Sequence, residues 1–381
     1  PRLRPVSIYS LISRCFAMRF KIDILPRTLK FKRPAGTSRG VYTVRKVWYV
    51  VLRDAEEPGR FGVGECAPLV DLSCDYCSDD VFERRLRTLC DMAEKLSCDD
   101  EPVLPYEELR PYPSMLFGLE TAVWHWKRRS VCLSDTEFGR GKRGIEINGL
   151  IWMGSFEEMK ERIEEKLRLG FGCIKLKIGA IDFDSELNLI RMIRGRFSKD
   201  DIELRVDANG AFSPDDALFK LEQLAKYDLH SIEQPIKAGQ WDCMARLCAD
   251  TPLPIALDEE LIGVNELERK NELLDTIRPQ YIILKPSLHG GIAGAEEWVG
   301  KAEEHRIGWW ATSALESNVG LNAIAHWCAV MQEGRADACL LPQGLGTGQL
   351  FVENVAYPLE VRGDKLWFDC AAAHSADTIV W

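Results

Sequence analysis

No apolar run in the sequence approaches the roughly 20 residues needed to cross a bilayer, so the chain is not expected to enter a membrane. The opening stretch carries a short apolar patch broken by Arg14, with no clear cleavage site after it, and makes a poor secretion signal. Cationic excess is also missing. With 49 Lys+Arg against 59 Asp+Glu the net charge is −10, which speaks against a general nucleic-acid binder. The 13 cysteines form no framework, being odd in number and irregularly spaced. The one CxxC, Cys74 to Cys77, has no second pair or histidine downstream at zinc spacing. The pattern reads as reduced thiols in a cytoplasmic protein. A glycine-rich phosphate turn after an early strand is absent too; Gly170-Phe171-Gly172 precedes a strand, which argues against an open doubly wound sheet.

What is present suits a soluble enzyme. The 381 residues are 46% hydrophobic and 28% charged, enough for two domains or one large barrel with an attachment. Charge is uneven: residues 1–46 hold twelve Lys/Arg and one acid, Asp23. Such a segment fits RNA or lipid, and equally an anionic substrate. Met18 opens a strand-like run, so residues 1–17 read as an N-terminal extension. Residues 18–140 read as a small α+β capping domain, with β-formers over 18–30 and 40–54, a flexible cationic loop at 33–40, and helices over 79–96 and 114–129.

From about residue 141 to 350 the pattern alternates. Short apolar strands at 145–151, 173–178, 202–206, 230–232, 254–257, 281–284, 308–311 and 338–341 are separated by seven amphipathic helices near 155–168, 182–197, 214–226, 239–249, 263–274, 292–305 and 317–331. Strict alternation implies parallel strands with right-handed crossovers, and eight such strands imply closure into a barrel. Residues 351–381 hold one further strand-like piece, Leu366-Trp367-Phe368, and are expected to return to the capping domain.

Barrel enzymes place their chemistry at the C-terminal strand ends. Here those ends read Lys175-Leu176-Lys177, Asp207-Ala208-Asn209, Glu233-Gln234-Pro235, Asp258-Glu259-Glu260 and Lys285-Pro286. Successive steps of 26, 25 and 27 residues separate Asp207, Glu233, Asp258 and Lys285, each about one strand, loop and helix. The repeat places them on one ring. Asp207, Glu233 and Asp258 on adjacent strands repel one another unless a cation neutralises them. The donors are all oxygens, which selects a hard ion, Mg²⁺, with Mn²⁺ as the alternative. Lys175 and Lys177, two apart on a strand, share a face, and Lys285 stands across the ring. Crowding by like charge and by the ion is expected to lower a lysine's pKa into a useful range. This set suits removal of a proton α to a carboxylate, with the metal stabilising the resulting dianion.

The constellation resembles the enolase superfamily. The resemblance rests on Gly62-Val63-Gly64-Glu65-Cys66-Ala67-Pro68, the KxK at 175–177, Asp207-Ala208-Asn209, Glu233-Gln234-Pro235, the acid pair after Leu257, and Lys285-Pro286. It implies a (β/α)₇β barrel with an N-terminal α+β cap completed by the C-terminal segment, as in the muconate-lactonizing-enzyme-like subgroup. Within that subgroup the run Arg205-x-Asp207-x-Asn209, the segment from Ser313 through Glu316 to Asn318, and the loop 34–40 are similar to the o-succinylbenzoate synthase family. That resemblance implies a carbon–oxygen lyase of menaquinone biosynthesis, dehydrating 2-succinyl-6-hydroxy-2,4-cyclohexadiene-1-carboxylate to 2-succinylbenzoate. Lys177 would take the α-proton, Lys285 would hold the intermediate by a cation–π contact, and Lys175 would orient Lys177. Asp207, Glu233 and Asp258 would bind the metal. Arg205, Asn209, Ser313, Glu316, Ser38 and Arg39 are the candidate substrate contacts. The expected partner is a small dicarboxylate, with neither nucleic acid nor membrane; the residues carry no signal for an oligomeric state. Two rivals share the metal site: a dipeptide epimerase or an N-acylamino acid racemase. Dipeptide epimerases carry an Asp-x-Asp after the last barrel strand, where this chain has Gln343-Gly344-Leu345-Gly346-Thr347-Gly348.

Overall fold

The structure is a computed structural model that describes residues 19–37, 40–97, 101–336 and 340–381. It opens with an antiparallel sheet of three strands, β1 (Phe20–Thr37), β2 (Gly40–Asp54) and β3 (Phe61–Cys66), in sequence order. The run Val47-Trp48-Tyr49-Val50-Val51-Leu52 is continuously apolar because β2 is covered on both faces. Trp48, Val50 and Leu52 pack with Phe82, Leu86 and Leu89 of the helix Asp79–Leu96 and with Leu119 and Trp126 of the helix Pro113–Arg128. Val47, Tyr49 and Val51 join the larger core that continues into the barrel. The second helix lies very close to β3. A Cβ on Gly64 would stand 1.8 Å from the Gly118 carbonyl oxygen, so only glycine fits there.

The stretch expected to be a flexible loop at 33–40 is strand as far as Thr37. After a register shift between Lys30 and Ala35, pairing resumes as Ala35 with Tyr42, Gly36 with Val41 and Thr37 with Gly40. The hairpin is thus longer than its composition suggests, because ladder bonds to β2 override the turn-forming residues. Ser38 and Arg39 lie outside the described residues.

The second unit is a parallel sheet of seven strands: β5 (Gly149–Ile151), β6 (Cys173–Lys177), β7 (Glu203–Asp207), β8 (Ser231–Glu233), β9 (Ile255–Leu257), β10 (Tyr281–Leu284) and β11 (Gly308–Ala311), in sequential order. Seven helices alternate with them, beginning at Phe156–Arg168 and ending at Asn318–Gln332. Their starts follow local chemistry: Ser155, Asp182, Ser213 and Ser317 each accept a first-turn N–H. The sheet closes through residues 343–344. Gln343 bridges in parallel to Ile147, and Gly344 to Thr312. The eighth strand therefore closes two residues beyond the expected 338–341, of which 338 and 339 lie outside the described residues. The first expected strand, 145–151, divides. β4 (Ile145–Glu146) turns away to pair with β13 (Lys365–Phe368), itself paired with β12 (Leu359–Arg362).

Two buried carboxylates fasten the antiparallel sheet and its helices to the barrel. Glu65 on β3 accepts from Ser317 N (2.8 Å), Ser317 Oγ (2.6 Å) and Gly320 N (2.8 Å), at the start of the helix Asn318–Gln332. Glu120 accepts from Ile292 N (2.5 Å) and Ala293 N (3.1 Å), at the start of the helix Gly291–Glu304. Both meet the positive end of a helix with otherwise unsatisfied N–H groups. Near the C-terminus, Asp377 accepts from Val131 N (2.6 Å) and the Trp381 carbonyl accepts from Arg53 (2.7 Å).

Candidate active site

The parallel register sets the ring. Lys177 is level with Asp207 and Asp207 with Glu233, so their side chains leave neighbouring strands at one height and on one face. Lys175 stands one pleat below, level with Arg205. Asp258 and Lys285 each follow the last residue of their strand. Lys175, Lys177, Asp207, Glu233 and Asp258 are all buried.

Every acid of the ring meets a lysine. Lys175 Nζ lies 2.5 Å from Glu233 Oε2 and 3.1 Å from Asp207 Oδ2. Lys177 Nζ donates to Asp207 Oδ2 and to Asn209 Oδ1, both at 2.8 Å. Lys285 pairs with Asp258 Oδ2. Each lysine of the ring is therefore partnered by a carboxyl oxygen of the ring. Burial pushes Asp258 up, but Lys285, a hydrogen bond with Glu233 and the nearby His289 together outweigh it and hold the acid at about 2. Asp207, likewise pushed up by burial, is held well below the usual carboxylate range by Lys175 and Lys177. Burial and then Asp207 drive Glu233 well above that range despite Lys175. For Lys175 and Lys285, burial favours the neutral amine, yet the facing carboxylates win and keep both above the ordinary lysine value.

The donor set suits a hard divalent cation. All three acids offer oxygen, and Glu233 Oε1 and Asp258 Oδ1 are buried with no hydrogen-bond partner. Orphaned acceptors of this kind are costly unless a cation or proton satisfies them. Among the described residues, no three His, Cys, Asp or Glu side chains close on one point at ligating distance. Shared ligation would require the three acids to draw closer together, with the oxygens not held by lysines offered to the ion.

A cavity of about 530 Å³ opens above the ring, lined by Lys175, Lys177, Asp207, Asn209, Glu233 and Lys285, a size that suits a small organic acid. Its walls include Trp152, Ser313 and Thr347, and its rim includes Lys32 and Arg33 from the β1 hairpin. Trp152 has its ring centroid 5.8 Å from Lys177 Nζ. Trp152 was not anticipated; its only sequence signal is its place just after the first barrel strand. Ser313 reaches the cavity and bonds Thr347 through its hydroxyl at 2.5 Å.

Two anticipated substrate contacts, Arg205 and Glu316, lie away from the cavity. Arg205 points below the ring, where its guanidinium bonds Glu203 (2.7 Å) and the Pro342 carbonyl (2.9 Å) and lies 4.2 Å from the Trp310 ring centroid. The strand pleat explains this: Arg205 shares the face of Asp207 but sits two residues deeper. Glu316 is buried behind the cavity wall, accepting from Ser287 Oγ and from Ala314 N (2.7 Å). Asn209 does line the cavity, but its side chain is committed to Lys177 on one side and, through Nδ2, to Glu259 Oε1 (3.0 Å) on the other.

Comparison with known proteins places the chain in a family. The family model described as "Enolase C-terminal domain-like" matches residues 158–362, more than half of the chain. An o-succinylbenzoate synthase of Desulfotalea psychrophila is 46% identical over 365 residues, covering 89% of this chain and 96% of that protein. The crystal structure of MenC from Desulfotalea psychrophila LSv54 superposes with a TM-score of 0.73 at 41% identity, covering 91% of this chain and 99% of the other. More distant is an L-Ala-D/L-Glu epimerase of Bacillus subtilis, 25% identical over 322 residues, covering 80% of this chain and 82% of that protein. The chain is an enzyme of the enolase superfamily and belongs, within the muconate-lactonizing-enzyme-like subgroup, to the o-succinylbenzoate synthase family of carbon–oxygen lyases.

Proposed function

We propose that the enzyme dehydrates 2-succinyl-6-hydroxy-2,4-cyclohexadiene-1-carboxylate to 2-succinylbenzoate, a step of menaquinone biosynthesis in the cytoplasm. One observation carries the reading: lysines stand on two sides of a buried ring of three acids at a barrel mouth, in a chain 46% identical to a curated o-succinylbenzoate synthase. The unit that does this work is taken as residues 141–350, capped by 18–140 and by the returning segment 351–381.

Asp207, Glu233 and Asp258 would hold Mg²⁺ or Mn²⁺. When bound, the ion supplies positive charge beside the substrate's ring carboxylate and lowers the cost of removing the neighbouring proton. Lys177 is the residue placed to take that proton. Its Nζ reaches the cavity and is aimed by Asp207 and Asn209. The C–H electron pair becomes the new ring double bond as the hydroxyl on the adjacent carbon leaves. Lys177 returns the proton to that hydroxyl on the same face, so one water departs and the aromatic product remains. Lys285, across the ring, keeps a positive charge against the face of the forming aromatic system. Lys175 stays protonated between Asp207 and Glu233 and keeps Lys177 at the reacting carbon. The substrate's second carboxylate requires donors away from the metal, which the Ser313 side of the cavity and the basic rim supply.

The test is direct assay of the cyclohexadiene carboxylate beside N-succinyl amino acids and dipeptides. Dehydration with negligible racemisation or epimerisation is expected. Because lysines flank the ring on two sides, N-acylamino acid racemisation is the second reading. Faster turnover of N-succinyl amino acids would replace the first with it.

A further inference from the structure

Two of the residues with positive φ that are not glycine stand just after ring acids: Asn209 (φ 44°), two residues past Asp207, and Gln234 (φ 39°), directly after Glu233. Left-handed backbone at such residues persists only where the surroundings impose it, and it gathers at functional sites. Asn209 is explained by its bond to Lys177. Gln234 is not in the cavity wall and touches no lysine of the ring, yet it is fully buried.

Its carboxamide uses every bond it can make. Oε1 accepts from Asp258 N (3.1 Å) and Glu260 N (3.2 Å). Nε2 donates to the Ile236 carbonyl (3.0 Å) and to Glu260 Oε2 (3.1 Å). Two donors and two acceptor sites are the whole capacity of the group. The backbone adds two more ties, Gln234 N to the Ala256 carbonyl (2.9 Å) and Gly210 N to the Gln234 carbonyl (2.7 Å). One residue therefore joins the ends of β7, β8 and β9, the three strands that carry Asp207, Glu233 and Asp258. It adjoins Glu233 in the chain and grips the backbone of Asp258, and these are the acids with orphaned buried oxygens.

We propose that Gln234 is a positioning residue that sets the spacing of Glu233 and Asp258 for a divalent cation. This inference rests on the metal site proposed above. A carboxylate pair must be held to a fraction of an ångström to ligate one ion, and backbone anchors two residues or fewer away do this most directly. The competing view is that Gln234 merely satisfies a tight corner. Gln343 offers the matched control: it too is a buried glutamine stitching two strands, accepting from Ala311 N (2.6 Å), but at the barrel closure and away from the acids.

The experiment is calorimetric titration of Mg²⁺ into wild type, Gln234→Met, Gln234→Glu and Gln343→Met, with Mn²⁺ spin-resonance spectra on the same proteins and circular dichroism to verify folding. Gln234→Met is expected to raise the Mg²⁺ dissociation constant by about tenfold or more, the effect usual for loss of a residue that orients a ligand. Gln234→Glu, which keeps the Oε acceptor, should raise it by roughly threefold, and Gln343→Met should leave it within about twofold. A folded Gln234 variant that binds Mg²⁺ as wild type does overturns the inference. So does failure of both Gln234 variants to fold beside a folded Gln343→Met, which would assign Gln234 to the fold. If wild type itself binds no Mg²⁺, the metal reading falls instead, which keeps the two failures distinct.

Discussion

The floor and the rim of the cavity are built on opposite principles. The floor is made of strand ends: Lys175, Lys177, Asp207 and Glu233 are buried, cross-paired, and fixed by a parallel ladder on both sides. The rim comes from a hairpin whose residues Lys32, Arg33, Val41 and Val44 are exposed. It meets the barrel through Lys32 N to the Leu350 carbonyl and Val352 N to the Lys30 carbonyl, both at 2.8 Å, and through the Arg45 guanidinium, which donates to the Leu315 (3.3 Å) and Ala314 (3.2 Å) carbonyls. The contrast sets buried, cross-paired groups on the cavity floor against an exposed cationic edge of the same cavity.

The comparison breaks first, if it breaks, at Lys177. Lys177→Ala should lower kcat on the order of 10³-fold while circular dichroism and melting remain those of wild type. Retained dehydration would move the chemistry off the floor. Next comes the acid ring. Asp258→Asn should remove the acid that pairs Lys285 and cut kcat/KM on the order of 10²-fold, with Mg²⁺ binding weakened in parallel. Chelation of divalent ions should abolish turnover, and added Mg²⁺ or Mn²⁺ should restore it.

The link between the two parts is the third place to look. Glu65 satisfies three donors from the barrel, and Glu65→Ala would leave them buried and unpaired, at a cost of about 2 kcal/mol, read as a lowered Tm. Burial is the main reason that Glu65 sits at about 7, with Glu316 adding to it and the Ser317 and Gly320 donors opposing. A carboxyl raised in the folded state contributes stability that is complete below its unfolded pKa and is lost as pH rises through about 7. The Tm of wild type relative to Glu65→Gln should therefore fall between pH 5 and pH 8. Glu120, pushed up to about 8 chiefly by burial, gives the same sign at slightly higher pH. The smallest effect belongs to the rim: Arg33→Ala should raise KM by a few fold, roughly 1 kcal/mol or less for an exposed charge, with kcat unchanged. A large fall in kcat would show that the rim takes part in the chemistry.

Much of this site was legible before any coordinates. The regular 26, 25 and 27 residue steps between Asp207, Glu233, Asp258 and Lys285 work because each barrel unit spends a nearly constant length on strand, loop and helix. The barrel helices fell near where their apolar period placed them, within about four residues at each end. Less legible were the residues whose role depends on depth rather than order. Arg205 lies in the same motif as Asp207, and nothing in the string Arg-Val-Asp says that one reaches the cavity and the other only the barrel interior. Glu316, three residues beyond the cavity residue Ser313, turned inward to Ser287. Trp152 comes to the cavity from a chain position with no motif, and Thr347 from a stretch singled out only for the acids it lacks.

The sequence alone determined the barrel, the ring of acids and lysines, and the kind of ion they suit, because periodicity and residue chemistry are local properties that survive in one dimension. Only the tertiary structure decided which oxygens remain orphaned, which lysine faces which acid, and that a buried glutamine ties three strand ends together. Those are facts of distance between segments far apart in the chain, and they are set by barrel closure and packing, which no local pattern records.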